Sequence, residues 1–341
     1  MRKSTLAIAL GVVAMTLVAC GGKDSSDKSA ATTAAKGPAP STAKVQAGVN
    51  DPKDRNIAVL AFLPASITVK TGAAVEWTAP GSEPHTVTFL PAGKTPPPPS
   101  DPAAAALREK ATTGAYDGTQ SFSSTIFPTG PKPETYSLTF SKAGSYNYYC
   151  LLHPGMLGTV KVVDDATTAD SQSAIDGRAK TEQAKWLTEG RAAKKALTEA
   201  PVKKTANADG TNTWTILMGG GSQHTDVLAF QPANADIKAG DKVVFLNDSN
   251  APHTASFKGT KELPQNPESP EAMKPSPGPS PQTLNATDAF NSGWLPPNAP
   301  PGQGPPEAAR SFTFVVPKAG TYNYVCLLHA PSGMGGSLTA T

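Results

Sequence analysis

The chain has 341 residues, which suggests two domains rather than one. Its 34 prolines and 30 glycines exclude a mainly helical fold and favour short strands, turns and long loops. A net charge of +3 with no basic block argues against nucleic acid as a partner, and three cysteines form an odd set that a disulfide framework does not explain.

Arg2 and Lys3 form a positive n-region, followed by an apolar run over 6–19 that is too short for a typical transmembrane helix. This predicts a signal peptide over 1–19. The run ends Leu17-Val-Ala-Cys20, which resembles the lipobox of bacterial lipoproteins. The resemblance implies cleavage before Cys20 and a lipid on its sulfur, hence an extracytoplasmic protein anchored to a bacterial membrane. Residues 20–54, rich in Ser, Ala, Thr, Lys and Gly, have almost no large apolar side chains and are expected to form a flexible tether.

From 55 to 164 the pattern is short β-rich runs: 56–63, 66–70, 74–77, 85–90, 135–140, 145–150 and 158–163. Seven or eight such strands argue for an antiparallel sandwich. Residues 91–133 interrupt them, with a helical turn or two expected around 103–110. Residues 165–210 are dominated by Ala, Lys, Glu, Gln and Arg, with Ile175, Ala179, Trp186, Ala193 and Leu197 at helical spacings. They predict a helix-rich linker, weakened by Gly177 and Gly190 and docked through Trp186. Residues 211–341 repeat the first half. Asp226-Val-Leu-Ala-Phe230 answers Ala58-Val-Leu-Ala-Phe62, and a segment with 13 prolines over 261–306 answers 91–133. Such proline-rich loops read as surface spacers, with cover for a site as the competing reading.

The chemistry concentrates in Tyr146-Asn-Tyr-Tyr-Cys150-Leu-Leu-His153-Pro-Gly-Met156 and its return, Tyr322-Asn-Tyr-Val-Cys326-Leu-Leu-His329-Ala-Pro-Ser-Gly-Met334. One further histidine precedes each, His85 in Glu83-Pro-His-Thr and His253 in Ala251-Pro-His-Thr. One Cys, two His and a weak axial Met are the ligand set of a blue-copper electron-transfer site. Thiolate and thioether suit the cuprous ion and imidazole suits both oxidation states, so little has to move when an electron comes or goes. Alternation along the strand puts Tyr146, Tyr148 and Cys150 on one face, and the following turn returns His153 and Met156 to the same point.

On these motifs both halves resemble cupredoxins, the plastocyanin, amicyanin and azurin family. The first loop, Cys-x-x-His-x-x-Met, has the length typical of amicyanin and pseudoazurin, and the second has the plastocyanin length. The resemblance implies an all-β fold of two Greek-key sandwiches and two type 1 copper ions. The ligands would be His85, Cys150, His153 and Met156 in the first half and His253, Cys326, His329 and Met334 in the second. It also implies outer-sphere electron transfer with extracytoplasmic donor and acceptor proteins. The departure is length: 65 residues separate His85 from Cys150 and 73 separate His253 from Cys326, which the proline-rich loops account for. By the same resemblance, Thr86 and Thr254 steady the sites through hydrogen bonds. Tyr149, before the ligand Cys, offers a second electron route, whereas Val325 in the second half leaves exchange to an exposed His329.

An oxidase or reductase needs more histidine. The chain has five, and His224 alone stands outside the two sets, so the expectation is a carrier and not an enzyme. A copper-buffering or delivery protein is the next reading, ahead of an oxidase subunit. After the leader only four methionines remain and two of them are ligands, which weakens the buffering reading.

Overall fold

The structure, a computed structural model, describes residues 37–99, 101–127, 134–278, 280–284, 289–299 and 304–341. The signal peptide, Cys20 and the first part of the expected tether lie outside the described residues. The first half contains β1 (Thr42–Asp51), β2 (Asp54–Leu63), β3 (Ser66–Lys70), β4 (Ala74–Thr78), β5 (Thr88–Phe89), α1 (Pro102–Arg108), β6 (Gly114–Tyr116), β7 (Phe122–Ser123), β8 (Thr135–Phe140), β9 (Gly144–Tyr149) and β10 (Leu157–Val163). Strands β2-β1-β4-β8-β6 form one sheet and β3-β10-β9-β5-β7 the other.

Alternation dictates which face is buried. In β8, Tyr136, Leu138 and Phe140 point inward while Thr135, Ser137 and Thr139 face water. Between the sheets, Trp77, Phe89, Tyr148 and Phe140 meet at centroid distances of 5.0–6.5 Å. These are tilted and edge-on contacts of the kind aromatic quadrupoles favour.

The expected tether ends earlier than its composition suggests. Thr42–Asp51 is a strand, parallel to β4 and antiparallel to β2. Ala43, Val45 and Ala47 alternate inward and are fully buried. Small side chains suffice there because the opposite sheet supplies the bulk.

After α2 (Gln172–Glu199) the second half follows with β11 (Lys203–Ala206), β12 (Asn212–Met218), β13 (Gly221–Ser222), β14 (Thr225–Val227), β15 (Phe230–Gln231), β16 (Asn234–Ile237), β17 (Lys242–Asn247), β18 (Ser256–Phe257), α3 (Pro270–Met273), β19 (Gln282–Thr283), β20 (Phe290–Asn291), β21 (Ser311–Val315), β22 (Gly320–Val325) and β23 (Gly335–Ala340). The sheets β11-β12-β17-β21-β19 and β16-β23-β22-β18-β20 enclose a second core of Phe245, Phe257, Phe314 and Tyr324.

The halves are not beads on a string. β14 pairs antiparallel with β2 and extends the first half's sheet, with Asp226 opposite Ala58. Those two residues hold the same place in the Val-Leu-Ala-Phe repeat, so the halves meet as a self-complementary pair about a local two-fold. Leu228 N–H donates to Asn56 O at 2.7 Å, and Leu60 N–H donates to His224 O at 2.9 Å. Helix α2 begins at Ser171, whose side chain accepts from Ala174 N–H. It lies across the join, with Leu187 against Val59, Ala61 and Leu63. Gly190, which weakens the helix locally, is what lets it close on the sheet: a Cβ there would sit 2.4 Å from Ile57 Cγ2. Trp186 packs on the same cluster and meets half-buried His224 in a tilted ring contact at 4.1 Å. Asp51, buried, is held by Arg191 through contacts of 2.6 and 3.1 Å.

Two candidate metal centres

Each upstream histidine is fixed by a short bridge outside the strands. Phe127 N–H donates to His85 O at 2.8 Å, and Leu295 N–H donates to His253 O at 2.8 Å. Cys150 follows β9, and Cys326 follows β22. The loop after each cysteine is closed by its own backbone: Cys150 N–H donates to Met156 O and Cys326 N–H to Met334 O, both at 3.1 Å. The methionines thus return to the cysteines, and both side chains are buried.

The donor atoms of each half converge on one point. In the first half Cys150 Sγ lies 3.8 Å from His85 Nδ1 and 3.4 Å from His153 Nδ1, and the two nitrogens are 3.2 Å apart. In the second, Cys326 Sγ lies 3.6 Å from His253 Nδ1 and 3.3 Å from His329 Nδ1, with the nitrogens 2.8 Å apart. A first-row ion bound at about 2.0 Å to nitrogen and about 2.3 Å to sulfur in a flat triangle spaces its donors by about 3.5–3.8 Å. Both triangles fit such an ion with small adjustments. The triangles are made by His85, Cys150 and His153 and by His253, Cys326 and His329, and the expected axial residues Met156 and Met334 are buried at the ends of the same loops.

Thr86 and Thr254 are placed as the resemblance implied. Thr86 N–H donates to Cys150 Sγ at 3.4 Å, and its hydroxyl accepts from Leu151 N–H at 2.8 Å. Thr254 makes the same two bonds, to Cys326 and Leu327, at the same distances. Both thiols are thereby fixed in direction. Burial alone would raise the Cys150 thiol, but His153 and His85 outweigh it and hold it well below its ordinary value. His329 and His253 do the same for Cys326. A thiol poised as thiolate is the form that binds a metal.

Glycines make room for the upstream rings. Gly48, at φ +68°, leaves a space where a Cβ would stand 2.1 Å from His85 Nε2. Gly219, at φ +75°, does the same for His253, with 2.8 Å.

Three features differ from the sequence reading. His329 is not exposed: it is buried, and its Nε2 lies 3.0 Å from Glu83 Oε2. Two carboxylates outside the expected donor sets stand beside the rings. Glu83 also stands 3.5 Å from His153 Nε2, and Asp226 stands 3.4 Å from His253 Nε2. The visible signals were the mismatches of the repeat, Glu83 against Ala251 and Asp226 against Ala58. Burial opposes the charge on Glu83, but His329 and His153 outweigh it and hold the carboxyl below its usual range. Burial opposes the charged form of His153 too, yet Cys150 and Glu83 push the ring up to about 9. Finally, the proline-rich loops are more than spacers. Pro97, Pro98, Trp294 and Pro297 line a cavity of 540 Å³ whose floor includes Cys150, Met156 and half-buried Tyr149.

The family model of copper binding proteins, plastocyanin/azurin family, matches residues 50–163 and 216–341. Amicyanin of Paracoccus denitrificans is 32% identical over 107 residues, which are 31% of this chain and 62% of that protein. Plastocyanin of Capsella bursa-pastoris is 27% identical over 124 residues, 36% of this chain and 96% of the relative. Among solved structures, a purple cupredoxin from Nitrosopumilus maritimus is 22% identical and covers 36% of this chain and 99% of its own, with a TM-score of 0.24.

Proposed function

Because the chain belongs to the plastocyanin/azurin family of copper binding proteins, we propose that it is an electron carrier with two type 1 copper centres, one in each half. The observation that carries this reading is the pair of buried donor triangles, each joining one thiolate to two imidazoles. Copper bound there supplies a reversible one-electron couple. The chain's residues do the rest. The threonine amides hold the sulfurs in place, the short bridges fix the rings, and the two cores keep water away, so the donors barely shift between states. His224 is engaged with Trp186 and joins neither triangle.

The lipobox resemblance at Cys20 supports attachment to the outer side of a bacterial membrane. Donor and acceptor are then redox proteins of that compartment. Their approach is proposed at the cavity beside Cys150, where Tyr149 and the prolines present apolar surface. Copper buffering is less well supported, because a buried, closed donor set is poorly built for handing over its ion.

The test is absorption and EPR spectroscopy of the copper-loaded protein with the metal quantified. Two ions per chain, an intense thiolate-to-copper band and reversible one-electron cycling without metal loss are expected. A colourless protein, or one that sheds copper on reduction, would refute the reading.

A further inference from the structure

The two loop histidines face each other across the join between the halves. Glu83 Oε2 lies 3.0 Å from His329 Nε2 and 3.5 Å from His153 Nε2. Laid end to end, these two contacts place the outer nitrogens no more than 6.5 Å apart. All three side chains are 98–99% buried. The opposite nitrogen of each ring, Nδ1, belongs to a donor triangle.

The chemistry of the chain imidazole–carboxylate–imidazole is consistent throughout. A ring that donates its Nδ1 lone pair to a metal carries its proton on Nε2, and one carboxylate oxygen has acceptor sites for two such N–H groups. Partners of this kind orient ligand histidines and tune the metal they hold. Here one partner serves two rings. The second half has Ala251 at the matching position, so the first half alone supplies the bridge.

We infer that the His153–Glu83–His329 bridge is the internal electron route between the two centres, and that the chain works as one coupled unit and not as two separate carriers. This rests on both sites being type 1 copper centres. With copper bound, one electron would leave the reduced centre and arrive at the oxidised one. On this route no atom or proton need be exchanged, because Glu83 faces both outer ring nitrogens at once.

The experiment uses the full copper-loaded chain, half-reduced by a short pulse of reductant. Rapid-freeze EPR then follows redistribution of the electron between centres. Cys150→Ser and Cys326→Ser proteins, each holding one centre, assign the signals. Glu83→Gln removes the charge at nearly constant shape, and Glu83→Ala reproduces the residue of the second half. Both variants are expected to keep two blue centres and to slow redistribution by about 10- to 100-fold. Redistribution at the wild-type rate in a variant that keeps both centres overturns the inference, as does an absence of redistribution in the unmodified protein. Failure of the blue bands themselves would instead overturn the assignment of the sites.

Discussion

Asp226→Asn should raise the reduction potential of the second centre and leave the first nearly unmoved. His253 Nε2 lies 3.4 Å from Asp226 Oδ2, and both side chains are fully buried. Among the described residues no carboxylate pairs with His85 Nε2 in this way, since Ala58 stands where the second half has Asp226. Glu83 stands beside both centres, through His153 and His329, so it does not separate them; the first centre also feels a cation, the buried guanidinium of Arg108 on α1, which acts on Cys150. A nearby negative charge favours the more oxidised ion, so the second centre should have the lower potential. The donor Nδ1 of His253 is one ring-width beyond the contact, about 5–6 Å from the carboxylate, and at an effective dielectric of about 20 a unit charge there is worth roughly 2–3 kcal/mol. For one electron that corresponds to about 100 mV. Spectroelectrochemical titration of the loaded protein and of the variant, with copper content checked, reads both potentials. A second-centre potential that does not rise, or an equal rise in both centres, would refute the reasoning.

Gly48→Ala places a Cβ 2.1 Å from His85 Nε2 at a φ of +68°, so the first centre should lose copper affinity by about 10- to 100-fold while the second stays intact. Copper titration followed at the blue band should show one tight site where the parent shows two. Arg191→Met should lower stability at neutral pH, because buried Asp51 loses its partner. The Arg191 hydrogen bond holds Asp51 below its ordinary value of 3.8. Its stabilising effect is therefore complete above that value and fades as pH falls through it towards the lower folded value, so urea titrations of parent and variant should converge in acid. Tyr149→Leu should slow electron exchange with an external redox protein severalfold without changing either spectrum; an unchanged stopped-flow rate would assign that tyrosine to packing alone.

The eight copper donors were legible because the Cys-x-x-His motif and the Pro-His-Thr motif each occur twice and in the same order. The strands were legible from alternation, as in Thr135–Phe140. β1 was hidden because Ala43, Val45 and Ala47 are too small to mark a core strand by composition. Glu83 was hidden for a different reason: its partner His329 is 246 residues away and belongs to the other half, so no local pattern announces the pair. The same holds for the cavity at Cys150, which needs loops from both halves. Position in a repeat reports what each half does alone; it does not report how the halves close on one another.

The join through β2 has a consequence for synthesis. Residues 57–63 are seven consecutive buried apolar positions, and the edge of their first part, Ile57–Val59, is covered only when Thr225–Val227 pairs with it. While the ribosome is still making the linker, that edge is a bare row of amides and carbonyls, the kind of surface on which chains clump. The first half therefore cannot complete its sheet as a separate fragment, and severing the gene within the linker should yield an insoluble piece where a simple tandem array would yield a working one.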